Sequence, residues 1–150
     1  MERKDWILMA LYSPGKEEDF CEPVDSSLRI MKLLFMIGQE NKTLPNFYNS
    51  FHRYLYGPCD FEVYTDILNL KTEGLIEETT NPFKNFSTFR LTNSGIEHIK
   101  PLFDSLSISI KKSIKDIKRE VNVRFSINNL LKYVYSKYPG WDTNSVLNLK

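Results

Sequence analysis

Residues 60–92 read DFEVYTDILNLKTEGLIEETTNPFKNFSTFRLT, and their punctuation predicts a helix followed by a β-hairpin. Asp60 is well placed to cap a helix over 61–73, because its carboxylate can accept from the free N–H groups of the first turn. Gly74 follows at the position where a left-handed residue ends a helix at little cost. Residues 75–78 and 88–91 are strand candidates. Residues 79–87, with Asn81-Pro82 and Asn85, form the loop between them. Thr92 then caps a helix from Asn93 to about Asp104. The apolar spacing assigns Phe61, Val63, Tyr64, Ile67 and Leu68 to the core face of helix 61–73. Its outward set is then Glu62, Thr65, Asp66, Asn69, Thr72 and Glu73, with Lys71 at the edge.

Upstream, Asp5 is a plausible cap for a short helix over 6–12, stopped by Ser13-Pro14-Gly15. An acidic loop over 16–23 follows. Ser26 or Ser27 caps a largely buried helix over 28–39, where Leu28, Met31, Leu34 and Phe35 form the stripe and Ile30, Leu33 and Ile37 widen it. Residues 52–56 read as a short strand broken by Gly57-Pro58. Downstream, Ser105 or Ser107 opens a helix through Val121 with an Ile110, Ile114, Ile117, Val121 stripe. Ser126 caps a last helix over 127–138, ended by Pro139-Gly140, and Asp142 starts a terminal turn to Leu149. A helix before a β-hairpin is the winged-helix order. The expected fold is therefore mainly α with a small β-hairpin. It is a winged helix-turn-helix domain over 1–104, with added C-terminal helices over 105–150 packed on it or dimerising.

With 150 residues, 41% of them hydrophobic and 13% aromatic, the chain can build one core, and its composition argues against disorder. The longest nearly apolar run, 33–38, is far short of the ~20 residues a membrane-spanning helix needs. The N-terminal Met-Glu-Arg-Lys-Asp lacks the apolar stretch of a signal peptide. A soluble cytoplasmic protein with no membrane partner is expected, and free thiols at Cys21 and Cys59 rather than a disulfide.

No pattern for catalysis stands out. His52 and His98 belong to no metal-ligand spacing, no glycine loop suits a phosphate, and no nucleophile elbow is present. His52 and Cys59 flank one turn, but a thiol nucleophile also needs a lowered pKa. The expectation is a protein that is not an enzyme and takes no cofactor or metal.

Charge is uneven: net −4 over residues 1–100 and +5 over 101–150, against +1 overall. Lys111, Lys115, Lys118 and Arg119 fall on one stripe opposite the isoleucines, with Lys112 nearby. This stripe is either a phosphate-contacting face or a solvated amphipathic one, with Asp116 and Glu120 as ion-pair partners. With Lys84 and Arg90 of the hairpin it makes the DNA-binding candidate set. Helix 61–73 argues the other way. Its outward set holds three carboxylates, which DNA phosphates repel. Glu62, Thr65, Asp66 and Asn69 are therefore the protein-binding candidates.

The run Arg29-Ile30-Met31-Lys32-Leu33-Leu34-Phe35, then Tyr56-Gly57-Pro58 leading into Val63-Tyr64, then Leu70-x-x-Glu73-Gly74-Leu75-Ile76, resembles the SocA-like (Panacea) antitoxin domain. It resembles still more closely that domain's YwgA-like bacterial and archaeal relatives. Phe89-Arg90-Leu91-Thr92-x-x-Gly95 and Leu131-x-x-Val134-Tyr135-x-x-Tyr138-Pro139 extend the likeness over nearly the whole chain. The resemblance implies a compact winged-helix-like domain without known catalysis, of a kind that binds and neutralises toxins or delivers them to proteases. A protein partner is thus expected, with a DNA-binding transcriptional regulator as the alternative. Tyr56, Gly57, Pro58 and Tyr64 are expected to form a structural turn, with both tyrosines at least half buried. A homodimer is expected through the stripes of the last helices, leaving Lys111, Lys115 and Lys118 solvated.

Overall fold

The computed structural model describes residues 1–124 and 126–142. In chain order these form α1 (Asp5–Tyr12), β1 (Val24–Asp25), α2 (Ser27–Glu40), α3 (Phe61–Thr72), β2 (Ile76–Thr80), β3 (Ser87–Leu91), α4 (Asn93–Asp104), α5 (Ile108–Asn122) and α6 (Ile127–Lys137). The protein is mainly helical, with one small antiparallel sheet ordered β1-β3-β2. Among the described residues no helix is long and apolar enough to cross a membrane.

Side-chain caps place most helix starts. Ser26, Asp60, Thr92, Ser107 and Ser126 accept from the backbone N–H groups of Arg29, Glu62, Gly95, Ile110 and Asn129. Each satisfies a donor that the first turn leaves free. Asp5 does not act as the cap of α1. It is the first helical residue, and its buried carboxylate accepts from the Glu2 N–H and lies 2.9 Å from His98 Nε2 on α4.

The hairpin pairs Ile76 with Leu91 through Thr80 with Ser87. A third strand, β1, which no sequence pattern announces, joins the sheet: Val24 pairs with Phe89 and Asp25 with Thr88. Conversely, the strand expected over 52–56 is only a single bridge, His52 to Cys59. Residues between them loop outward instead of pairing. Where β2 meets α4, the Leu75 carbonyl accepts from the Thr92 N–H, and a Cβ on Gly95 would lie 2.0 Å from that oxygen. Only glycine lets α4 start so close to the strand.

α2 runs through the centre, and every residue from Arg29 to Ile37 is buried. All eight residues of α1 are buried beside it. The α5 and α6 stripes close the same core: Ile114, Ile117, Val121, Leu130, Leu131 and Val134 are all buried in it. This corrects the basis for the expected dimer. The C-terminal helices bury their apolar faces within one chain, because α2 still needs cover on the side that α1 leaves open. The terminal turn expected from Asp142 to Leu149 lies, after its first residue, outside the described residues.

Ile114→Ala should therefore lower the stability of the single chain by about 2–5 kcal/mol, the cost of a core cavity. Urea unfolding followed by circular dichroism checks this. A change in association without a change in stability would return the stripe to an interface.

Candidate protein-binding surface

α3 carries two apolar stripes, and a single helix can bury only one against the core. The stripe turned inward is Val63, Asp66, Ile67 and Leu70. Phe61, Tyr64 and Leu68, expected in the core, face solvent, with Phe61 51% and Leu68 61% exposed. The helix is thus rolled relative to the sequence reading, and a carboxylate sets the roll. Asp66 Oδ2 accepts from Arg3 Nε at 2.9 Å and from the Tyr48 hydroxyl at 2.6 Å. Its Oδ1 accepts from Arg3 Nη2 at 3.1 Å. The Arg3 guanidinium also sits 5.1 Å over the Tyr48 ring. Burial, then the bond to Asp66, pushes the Tyr48 phenol well above its usual range, so it stays a donor. Asp66, assigned outward with Glu62, Thr65 and Asn69, is therefore a buried anchor and not a contact residue. Arg3 lies 63 residues away in sequence, so no local pattern signals the partner. The legible signal was the i, i+4, i+7 spacing of Val63, Ile67 and Leu70.

The loop between His52 and Cys59 adds to the exposed face. His52 and Cys59 exchange backbone hydrogen bonds at 2.9 Å in both directions, and the Gly57 N–H closes the turn onto the Tyr54 carbonyl. Tyr54, Leu55 and Tyr56 are exposed at its tip. Tyr54 meets Phe61 at 5.3 Å between ring centroids, His52 meets Phe61 at 5.2 Å, and Phe61 meets Tyr64 at 6.4 Å. Rings from the loop and the helix thus form one continuous strip, extended along α3 by Leu68. In the turn formed by Tyr56, Gly57, Pro58 and Tyr64, Gly57 and Pro58 are buried, and Tyr56 at 50% and Tyr64 at 36% exposure keep at least half of their surface covered.

What holds the loop is a residue the sequence reading passed over. Lys32, in the middle of α2, is fully buried, and its Nζ donates to the Pro58 carbonyl at 3.0 Å. Gly57 adopts φ +92°, and a Cβ there would meet Leu131 Cδ2 at 2.9 Å and Lys32 Cε at 3.1 Å. Burial pushes the Lys32 ammonium down to about 8, with the neighbouring Cys59 acting the other way. The Cys59 thiol is raised by its own burial. That is the opposite of an activated nucleophile.

The charges around the strip are balanced within the chain. Glu62 pairs with Arg3, Glu73 with Lys4, and Lys71 with Glu78. Thr65 and Asn69 are exposed and uncharged. The DNA-binding candidates are likewise engaged. Lys84 lies over the Phe86 ring, and Arg90 is 4.0 Å from Glu77. Lys111 donates to the Asp104 carbonyl, Lys115 pairs with Glu18, and Arg119 with Asp116. Lys118, expected on the solvated stripe, is completely buried. The cationic stripe therefore loses one of its four members to the core. Among the described residues no cluster of metal-ligating side chains occurs. Comparison with known protein families, with curated proteins and with solved structures returns no match.

Gly57→Val should cost about 1–3 kcal/mol, from a strained φ and a crowded Cβ, read as a fall in melting temperature. A second outcome follows from Lys32. Its folded pKa of about 8 lies below the ordinary 10.5, so between these values the unfolded chain binds more protons. Stability must therefore rise with pH across that window and level off below it. Lys32→Met should remove about 2 kcal/mol of the rise between about pH 7.5 and about pH 10. Denaturant titrations at both pH values check it, and an unchanged rise in the variant contradicts it.

Proposed function

We propose that this chain is a non-catalytic winged-helix regulatory or adaptor module that acts by binding another protein. Its docking surface is the strip formed by Tyr54, Tyr56, Phe61, Tyr64 and Leu68. The observation that carries this reading is the exposure of α3's second apolar stripe beside an aromatic loop. Contiguous exposed apolar patches mark interaction sites, and aromatic side chains dominate the binding energy of protein interfaces. Thr65, Asn69 and Glu62 border the strip and supply its polar rim. The position of α3 directly before the β2–β3 hairpin supports the winged-helix reading. The sequence resemblance to SocA-like and YwgA-like domains supports an antitoxin-like or defence-associated role.

The balanced rim also favours a protein over a nucleic acid. DNA recognition needs cations aimed at phosphates, whereas α3 offers solvent an aromatic stripe and carboxylates already paired. A DNA-binding regulator remains the alternative, using Lys84, Arg90 and the exposed cations of α5.

The test compares partner capture by the tagged wild type and by Phe61→Ala/Leu68→Glu. The double variant should keep its melting temperature, since both side chains face solvent, and should lose the captured protein. Capture by the wild type should persist at about 0.5 M salt, where charge contacts are screened. Replacing Lys111, Lys115 and Arg119 by Ala should leave it intact. Tight duplex DNA binding at about 0.15 M salt, lost on Asn69→Ala, would replace this reading with the DNA-binding one.

A further inference from the structure

Residues 13–23 leave the end of α1, cross α5 and enter β1, and they pass directly over Lys118. That side chain is fully buried. Its Nζ donates to the Ser13 carbonyl at 2.6 Å and to the Leu11 carbonyl at 3.4 Å, at the C-terminal end of α1. Gly15 lies on its stem: a Cβ at Gly15 would be 2.8 Å from Lys118 Cγ and 2.5 Å from Glu22 Oε2. Among the described residues no carboxylate pairs with Lys118 within ion-pair distance. The titratable groups acting on it are both on the crossing segment, Glu22 and Cys21. α1 presents it with backbone carbonyls, and on α5 the neighbouring Lys115 points out to Glu18.

The segment has few other fastenings. Glu22 accepts from the Lys16 N–H at 2.9 Å, from the Glu17 N–H at 2.6 Å and from Asn122 Nδ2 at 2.5 Å. The Cys21 N–H donates to the Tyr12 carbonyl at 2.8 Å, and Cys21 itself takes a left-handed φ of +64°. Between them Phe20, half exposed, rests on Tyr12 and Phe103, with ring centroids 5.0 and 6.2 Å away. Residues 16–19 are exposed, with Glu18 paired to Lys115 of α5.

We propose that residues 16–22 form a proton-operated strap: protonation of Lys118 favours its opening and deprotonation its closure, so that acid uncovers the Tyr12 and Phe103 rings on which Phe20 rests. The cause is desolvation. A buried ammonium without a carboxylate partner is disfavoured, and neutral lysine is tolerated. Opening returns the same amine to water, where it holds its proton up to an ordinary lysine pKa. With the strap shut, burial lowers Lys118 to about 7 from the usual 10.5. The closed form therefore binds fewer protons than the open form between these values, and closure strengthens as pH rises through 7. Glu22 is held below its usual value and Cys21 above, so both titrate away from this window.

Amide hydrogen exchange of Lys16, Glu17 and Cys21 tests this on the intact chain, with each rate corrected for the intrinsic pH dependence of exchange. Protection of these three amides should rise about tenfold between about pH 6 and about pH 8. They should also open at lower cost than the α2 amides that report global unfolding. Lys118→Met should abolish the pH dependence and leave the strap closed at both values. Flat protection in the wild type over that range, or strap amides that exchange only together with α2, overturns the proposal. This outcome is read without the variant.

Discussion

α2 is buried over nine consecutive residues, Arg29 to Ile37, and a helix so enclosed needs neighbours on every side. α1, α3, α5, α6 and β1 supply them. Because the enclosed run includes Arg29 and Lys32, packing alone does not satisfy it. A buried cation without hydrogen-bond acceptors costs several kcal/mol, on the order of a small domain's whole stability. Arg29 donates to the Arg124 carbonyl and lies 5.2 Å from the Phe86 ring centroid. Lys32 donates to the Pro58 carbonyl. Each cation therefore ties a loop to the central helix, and the exposed aromatic loop over 53–58 is one of them. The core thus reaches the surface through a polar side chain.

The same logic sets the roll of α3. With two apolar stripes of similar strength, hydrophobic burial hardly distinguishes the two rotations of the helix. Asp66 does, because Arg3 and Tyr48 give it three hydrogen bonds on the inner side. Charge-assisted bonds of this kind are about twice as strong as neutral ones. Burying Asp66 leaves Phe61, Tyr64 and Leu68 outside, next to Tyr54. The candidate binding surface is in this sense a by-product of an internal ion pair. Exposed apolar groups in that number lower solubility, and a partner that covers them would offset the penalty.

The surface charges follow a different rule. On α5, Lys111 donates to the Asp104 carbonyl, and Lys115 and Arg119 pair with acids at the surface, where such pairs contribute little to stability. Lys118, in the same stripe, lies completely inside. Helical spacing placed all four together, but the segment over 13–23 covers one edge of the helix and takes Lys118 with it. A basic stripe in sequence is thus not a basic stripe on the molecule.

The sequence by itself determined the helices and the hairpin. Asp60, Thr92 and Ser126 cap where they stand, Gly74 stops α3, and the apolar spacings of α2, α5 and α6 are those of buried faces. These are local signals, set by hydrogen bonds and side-chain periodicity within a few residues. Only the tertiary structure decided β1, whose two residues carry no alternation and exist as a strand because β3 offers a free edge. It also decided that residues 52–56 form no strand, which stripe of α3 faces out, and that Lys32, Asp66 and Lys118 lie inside. The physical reason is common to all of these. A polar group is buried only where distant residues supply its hydrogen bonds, and those partners, 63 residues away for Asp66 and 105 for Lys118, leave no mark on the local pattern.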